Sequence, residues 1–269
     1  MSRSFLESAE EIAREAGALL NNYLGRIGFE LKGDFDLVTE ADRASERLIV
    51  ERLSSWFPSH SILAEEGGGQ DRSSAYRWYV DPLDGTTNFA HGFPVFNVTL
   101  ALERAGELVC GVIFDPVRGE MFAAELGSGA YLNKRRIHVS KVLSLADTLV
   151  ATGFPSRKRH FNFNVHFYHQ LAMGTHGVRR CGAAAIDMAY VACGRLDAFW
   201  EFTLNPWDMA AGTLLVREAG GQVTDMKGGI ASLTGPHVIA DNGLIHDELI
   251  ALFGEVFRGE YRYPLPTIS

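Results

Sequence analysis

Cysteine is scarce and scattered: Cys110, Cys181 and Cys193 are the only three, widely spaced and each set among apolar or small neighbours. That spacing excludes a disulfide framework and a thiolate metal site, and leaves buried free thiols in a reducing compartment as the expectation. Long apolar runs are missing too. Nothing approaches the ~18 residues of a membrane span, and the N-terminus alternates apolar residues with Glu and Arg where a secretory core would be continuous. No membrane partner and a cytoplasmic location are therefore expected. Positive charge is in deficit, with 33 acidic against 25 basic residues and a net charge of −8. This disfavours a nucleic-acid binder that relies on bulk electrostatics, while a local basic patch stays open. Internal repeats, long linkers and low-complexity tracts are also absent.

What is present suffices for a full core. The 269 residues are 46% hydrophobic and 22% charged, enough for one large domain or two intimate halves without disulfides. The stretch Trp78-Tyr79-Val80-Asp81-Pro82-Leu83-Asp84-Gly85-Thr86-Thr87-Asn88-Phe89 organises the rest. It reads as a buried strand, a corner fixed by Pro82, and a helix start at which Gly85 permits close ligand approach and Thr86 and Thr87 add hydroxyls. Two carboxylates beside an anion-friendly helix start repel phosphate unless a cation such as magnesium lies between them. The first chemical reading is thus metal-assisted phosphoryl chemistry.

Taken in order, Ser4 with Glu7 signals a helix start, and Phe5, Ala9, Ile12, Ala16, Leu19, Leu20 and Tyr23 recur at helical spacing until Gly25, with Glu10 placed to support Arg14. Lys32-Gly33-Asp34-Phe35-Asp36 reads as a mobile surface loop; Lys32 is either a solvated loop lysine or a contact to phosphate or a metal-bound water. Thr39 to Asp42 caps a second helix running to Trp56, where Asp42 alone reads as a helix-start acid. Ser61 to Ala64 is a strand that delivers Glu65 and Glu66, of which only one can face a site. Strands from Val95 to Leu102 and Leu108 to Phe114 form a hairpin, and Met121 to Leu126 and Ala130 to Leu132 extend the sheet. His91 and His138 read as structural.

From Lys141 the pattern becomes α/β. A strand at 149–151 leads to the basic run Ser156-Arg157-Lys158-Arg159-His160, read as a solvated loop or a cradle for a second phosphate or an RNA. A small-residue helix opens at Gly182-Ala183-Ala184-Ala185. A strand ends at Glu201, and Asn205-Pro206-Trp207-Asp208 starts the helix Met209 to Glu218. Strand 238–240 and a helix near 245–253 complete the chain. The expected fold is α+β passing into α/β, with an antiparallel-sheet subdomain at 1–140 and an α/β subdomain at 141–269.

Asp81-Pro82-Leu83-Asp84-Gly85-Thr86-Thr87-Asn88-Phe89, Ala64-Glu65-Glu66 and Trp207-Asp208-Met209-Ala210-Ala211-Gly212 together resemble the inositol monophosphatase family of magnesium-dependent, lithium-sensitive sugar-phosphate phosphatases. Three motifs occur in the right order, and the similarity of layout covers nearly the whole chain. The resemblance implies a layered αβαβα sandwich. It implies two or three Mg2+ per site, one held by Glu65, Asp81 and the carbonyl of Leu83, another by Asp81, Asp84 and Asp208. It pairs Thr86 with Asp42 to orient the attacking water, adds Glu65 to the catalytic set, and places Lys32 in a loop at the metal site. Asp84, Gly85, Thr86, Thr87, Ala184 and Glu201 would bind substrate, with Ala183 departing from a hydroxyl residue common in the family. The function implied is hydrolysis of inositol 1-phosphate to inositol and phosphate by in-line attack of a metal-activated water, in a cytoplasmic homodimer. The alternatives are fructose-1,6-bisphosphatase or another sugar or nucleotide phosphatase of the superfamily and, from a different class, a regulator that binds RNA or a transcription complex. For a second phosphate, Arg157, Lys158, Arg159, Arg179 or Arg180 supplies the cradle.

Overall fold

In the computed structural model the described residues are 3–26, 28–31, 37–154 and 162–265. The expectations for Lys32, Asp36 and Ser156 to His160 lie outside them. Ser4 caps α1 (Phe5–Tyr23) by accepting the Glu7 N–H at 3.5 Å. Ala9, Ile12, Ala13, Ala16 and Leu20 form its buried stripe, each large aliphatic side chain contributing about 1.5–3 kcal/mol. Glu10 is not the partner of Arg14: its carboxylate takes Lys134 Nζ at 2.5 and 2.8 Å, because the buried face of α1 turns it toward the sheet. After a two-stranded ribbon, β1 (Phe29–Leu31) and β2 (Leu37–Thr39), Thr39 caps α2 (Glu40–Trp56).

The larger sheet has seven strands in the order β3 (Ser61–Ala64), β4 (Tyr76–Asp84), β5 (Asn97–Arg104), β6 (Glu107–Asp115), β7 (Glu120–Glu125), β8 (Gly129–Leu132) and β9 (Arg135–Ile137). It is mixed rather than purely antiparallel, since β3 runs parallel to β4. Ala105 and Gly106, both at positive φ, close the β5–β6 hairpin as a two-residue turn. The smaller sheet is also mixed, in the order β11 (Gly177–Arg179), β10 (Leu149–Thr152), β12 (Ala198–Phe202), β14 (His237–Asp241) and β13 (Gln222–Thr224). The remaining helices are α3 (Thr86–Ala90), α4 (Asn164–Gly174), α5 (Ala184–Ala192), α6 (Pro206–Glu218) and α7 (His246–Phe257). Helix α6 begins at Pro206, three residues before the expected start, because proline suits the first helical turn.

Strand alternation sorts these elements into five layers. In β4, Trp78 and Val80 pack with α1 and α2, while Tyr79 between them packs with α5 and α6. In β12, Phe199 joins that same middle layer, and Ala198 and Trp200 turn outward to α4 and α7. The order is thus helix pair, seven-stranded sheet, α5 and α6, five-stranded sheet, helix pair, an α+β sandwich. The middle layer is thin because its residues are small: a Cβ on Gly111 of β6 would sit 2.9 Å from Cα of Ala211 in α6. Of the three free thiols only Cys110 is buried; Cys181, shortly before α5, and Cys193, just after it, are half-buried. Among the described residues no helix is long and apolar enough to cross a membrane.

Candidate active site

The site lies where β4, α3, α2, α5, β12 and α6 end against one another. Strand β4 does not stop at Val80. It continues through Pro82 to Asp84, and its pairing with β5 shifts register between Asp81 and Asp84. The bulge lets both aspartates leave one strand toward the same side. Gly85 then adopts φ 92°, and a Cβ there would lie 2.9 Å from the Val95 carbonyl oxygen. Left-handed backbone and close packing against Val95 each require glycine at this corner.

Asp81 is 2% exposed, and the Leu83 N–H donates to its Oδ1 at 3.0 Å. Burial first, then the negative charges of Glu65, Asp84 and Asp208, push its carboxyl well above the ordinary range. Those four acids are the ones the motifs singled out, brought together from β3's end, β4 and α6. Asp84 is also raised by burial, but is held by Asn97 Nδ2 at 2.8 Å, by the Ala185 N–H at 2.9 Å and by the N–H groups of Ala184 and Gly85. The Gly85 N–H therefore serves Asp84. Asp208 Oδ2 accepts from the Asn205 N–H at 2.7 Å, so the helix-start reading and a place beside Asp81 hold together.

Thr86 Oγ1 lies 3.0 Å from Asp42 Oδ1 and 3.0 Å from the Leu83 carbonyl oxygen. Its single proton serves one of them at a time, and its lone pairs remain for a further donor. Asp42 is fully buried, with Oδ2 held by the N–H and hydroxyl of Thr39 at 2.8 and 2.5 Å. One carboxylate thus caps its own helix and reaches across to α3. On the opposite wall Glu201 is 9% exposed and is pushed well above the ordinary range by burial, then by Asp187, Asp208 and Asp84, with Arg180 opposing. Its carboxylate rests on Gly153, where any Cβ would come within 2.1 Å of both oxygens. Ala184 is buried at the start of α5, and Thr87 is exposed.

Four supporting residues escaped the sequence reading. Glu46, 5% exposed, accepts the N–H groups of Glu66 and Gly68 at 2.7 Å each and so shapes the turn that presents Glu65. Its signal was position: an acid one turn after Asp42 on the buried face of α2. Asn97 and Thr99 are fully buried polar residues in an apolar strand, and Thr99 donates to Asn97 Oδ1 at 2.6 Å while Asn97 holds Asp84. Asp187 in α5 is 1% exposed, its Oδ1 has no hydrogen-bond partner, and burial pushes it up to about 8. It sat unnoticed in a run of small residues.

The donor set is hard oxygen throughout, with no His or Cys among the acids that bear on Asp81, which suits magnesium and not zinc. The acids act on one another at electrostatic range: among the described residues, no three His, Cys, Asp or Glu side chains stand as a finished metal cage. Repulsion of this kind is what a divalent cation relieves, so the residues fit one.

Comparison with known proteins extends over almost all of the chain. The sequence profile of the inositol monophosphatase family matches residues 1–257. An inositol-1-monophosphatase of Mesorhizobium japonicum is 45% identical over 257 residues, covering 93% of this chain and 96% of that one. A Nus factor SuhB of Pseudomonas aeruginosa is 47% identical over 246 residues, 88% of this chain and 91% of that one. The crystal structure of the extragenic suppressor protein suhB of Bartonella henselae superposes with a TM-score of 0.88 at 43% identity, over 92% of this chain and 97% of that one.

Proposed function

We propose that this chain, which belongs to the inositol monophosphatase family and is a phosphatase of that superfamily, hydrolyses inositol monophosphate with magnesium as its cofactor. The observation that carries the reading is the elevation of Asp81 by Glu65, Asp84 and Asp208 beside the Thr86–Asp42 contact. Glu65, Asp81, the Leu83 carbonyl, Asp84 and Asp208 would hold two or three Mg2+, which would screen the phosphate's charge and make water acidic enough to attack. Thr86 Oγ1 orients the attacking water, and the proton it loses passes toward Asp42 Oδ1, with Glu65 assigned to the catalytic set beside them in this reading. The water oxygen bonds to phosphorus as the ester oxygen departs. The N–H groups of Thr86 and Thr87 receive phosphate oxygens in this reading, since that of Gly85 is committed to Asp84. Glu201, Asp84 and the backbone at Ala184 meet the polyol hydroxyls in this reading. The proposed division at residues 140 and 141 puts most acids in the first half and Asp208 and Glu201 in the second.

Phosphate release from inositol 1-phosphate and from fructose 1,6-bisphosphate, with and without magnesium, tests the reading. Magnesium-dependent release favouring the inositol ester supports it; release from neither substrate ends it. Preference for the bisphosphate moves the assignment within the superfamily and points to Arg179 and Arg180, both exposed, as the cradle. A cytoplasmic homodimer inhibited by lithium completes the proposal, checked by sedimentation and by lithium titration. The Nus factor name of the Pseudomonas relative favours a second reading, association with a transcription complex. Salt-sensitive RNA retention that disappears when Arg157, Lys158 and Arg159 are neutralised would support that role.

A further inference from the structure

Glu201 owes its place in the site to its surroundings: among the described residues no hydrogen bond holds its carboxylate. Both carboxylate oxygens lie against Gly153, so closely that no Cβ fits between them. Gly153 follows Thr152 and Glu201 follows Trp200, and Thr152 and Trp200 are register partners where β10 runs parallel to β12. The ladder of β10 stops at Thr152. Gly153 therefore needs another anchor to stay beneath the Glu201 carboxylate.

Asn164, the first residue of α4, supplies it. Its Nδ2 donates to the Gly153 carbonyl oxygen at 2.7 Å and to Thr152 Oγ1 at 2.8 Å, and its Oδ1 accepts from Trp200 Nε1 at 2.6 Å. Thr152 Oγ1 in turn donates to the Trp200 carbonyl oxygen at 2.6 Å. Both donors of the amide are thus in use, and one side chain ties the residue under the Glu201 carboxylate to the residue before Glu201 in β12. Asn164 and Thr152 are fully buried and Trp200 is 1% exposed, so no water replaces a bond that is lost. None of these bonds reaches Asp81, Asp84, Asp208 or Thr86, which leaves Glu201 as the route by which Asn164 acts on the site. We infer that Asn164 is a positioning residue for Glu201 and through it sets the preference for esters of a polyol over esters without hydroxyls. The inference rests on the reading of Glu201 as a polyol contact, and it deepens that reading by naming what aims the carboxylate.

Steady-state turnover of inositol 1-phosphate and of p-nitrophenyl phosphate at saturating magnesium tests this, because the second ester offers Glu201 no hydroxyl. Asn164→Leu keeps the branched shape and none of the hydrogen bonds. It is expected to lower kcat/KM for the inositol ester about tenfold, mostly through KM, and to leave that for p-nitrophenyl phosphate within about twofold of the parent. Gly153→Ala displaces the carboxylate with Asn164 untouched and should weaken the same preference. The Gly153 backbone lies outside the left-handed region, so alanine suits it, and this variant decides the matter if circular dichroism shows that Asn164→Leu does not fold. Added to Glu201→Ala, Asn164→Leu should lower the preference no further. Equal losses on the two esters would make Asn164 a structural residue alone and overturn the inference, as would an unchanged preference in Gly153→Ala or additive losses in the double variant. A parent protein with no preference for the inositol ester would instead overturn the assignment of Glu201 to the polyol, and the inference with it.

Discussion

Asp241 and Asp81 are both buried strand residues, 0% and 2% exposed, one in each large sheet. Around Asp241 the chain supplies donors: His246 Nδ1 lies 2.6 Å from Oδ2, and the Gly243 N–H reaches Oδ1 at 2.7 Å. Around Asp81 it supplies one N–H and three more carboxylates. The first arrangement is what a buried acid requires for stability, and the second works against it. Such repulsion at a position shared by three motifs is a mark of a site built to be completed by a cation.

The sharpest way to break this comparison is Asp81→Asn. It is expected to lower turnover about a thousandfold or more, since it removes the acid common to both inferred metal positions. In metal-free protein the same change should leave Tm unchanged or raise it, because one of four mutually repelling carboxylates becomes neutral. A metal-free Tm that drops as far as it does for a variant at Asp241 would place the two acids in the same class.

That variant, Asp241→Asn, carries the next largest effect. It leaves His246 facing an amide and should cost about 3 kcal/mol in a urea melt, with turnover per folded molecule unchanged. Contact with Asp241 raises the His246 pKa above 6.5. Stabilisation from the pair is therefore complete below pH 6.5 and fades as pH rises through the raised folded value, so the variant's deficit narrows at alkaline pH. A deficit independent of pH would assign the loss to packing and not to the charged pair.

These contrasts also explain what could be read from residues alone. Local rules placed Asp42, Thr86, Asp81, Asp84, Glu65 and Asp208 in helix caps, a strand edge and a strand-to-helix corner. By those rules alone Asp42 and Asp208 read as helix-start acids, and it was the resemblance of three motifs to one family that grouped the six as one candidate site. Both sheets were legible as strand alternation, but not the parallel pairing of β3 with β4, which depends on a connection that sequence pattern does not encode. Short strands such as β9 and β11 escaped because three residues carry no period. Asn97 and Asp187 were missed because nothing local distinguishes a buried amide or acid in a site from one on a solvated face. Glu46 was missed because its one signal, its place a turn after Asp42, says nothing of the Glu66 and Gly68 N–H groups that it holds.

Asp187→Asn probes the site side of the comparison more gently. The carboxyl titrates near 8 in the folded protein against an unfolded value near 3.8. Across that window the folded state keeps a proton the unfolded state has released, so this group favours folding less and less as pH rises from about 4 to 8. The amide should flatten the fall of Tm over that interval by a few degrees, and unchanged slopes would remove Asp187 from the set of strained acids.

The smallest effect belongs to Glu46, an acid on the satisfied side of the comparison that nevertheless serves the site. Glu46→Gln keeps one acceptor oxygen and turns the other into a donor that faces the Glu66 or Gly68 N–H. Loss of one charge-assisted hydrogen bond should cost about 1–2 kcal/mol of stability. Because those N–H groups flank the turn carrying Glu65, the magnesium concentration for half-maximal turnover should rise severalfold while turnover at saturating magnesium stays near that of the parent. A fall in saturated turnover with no change in the magnesium requirement would show that Glu46 acts on the reaction itself and not through the placement of Glu65.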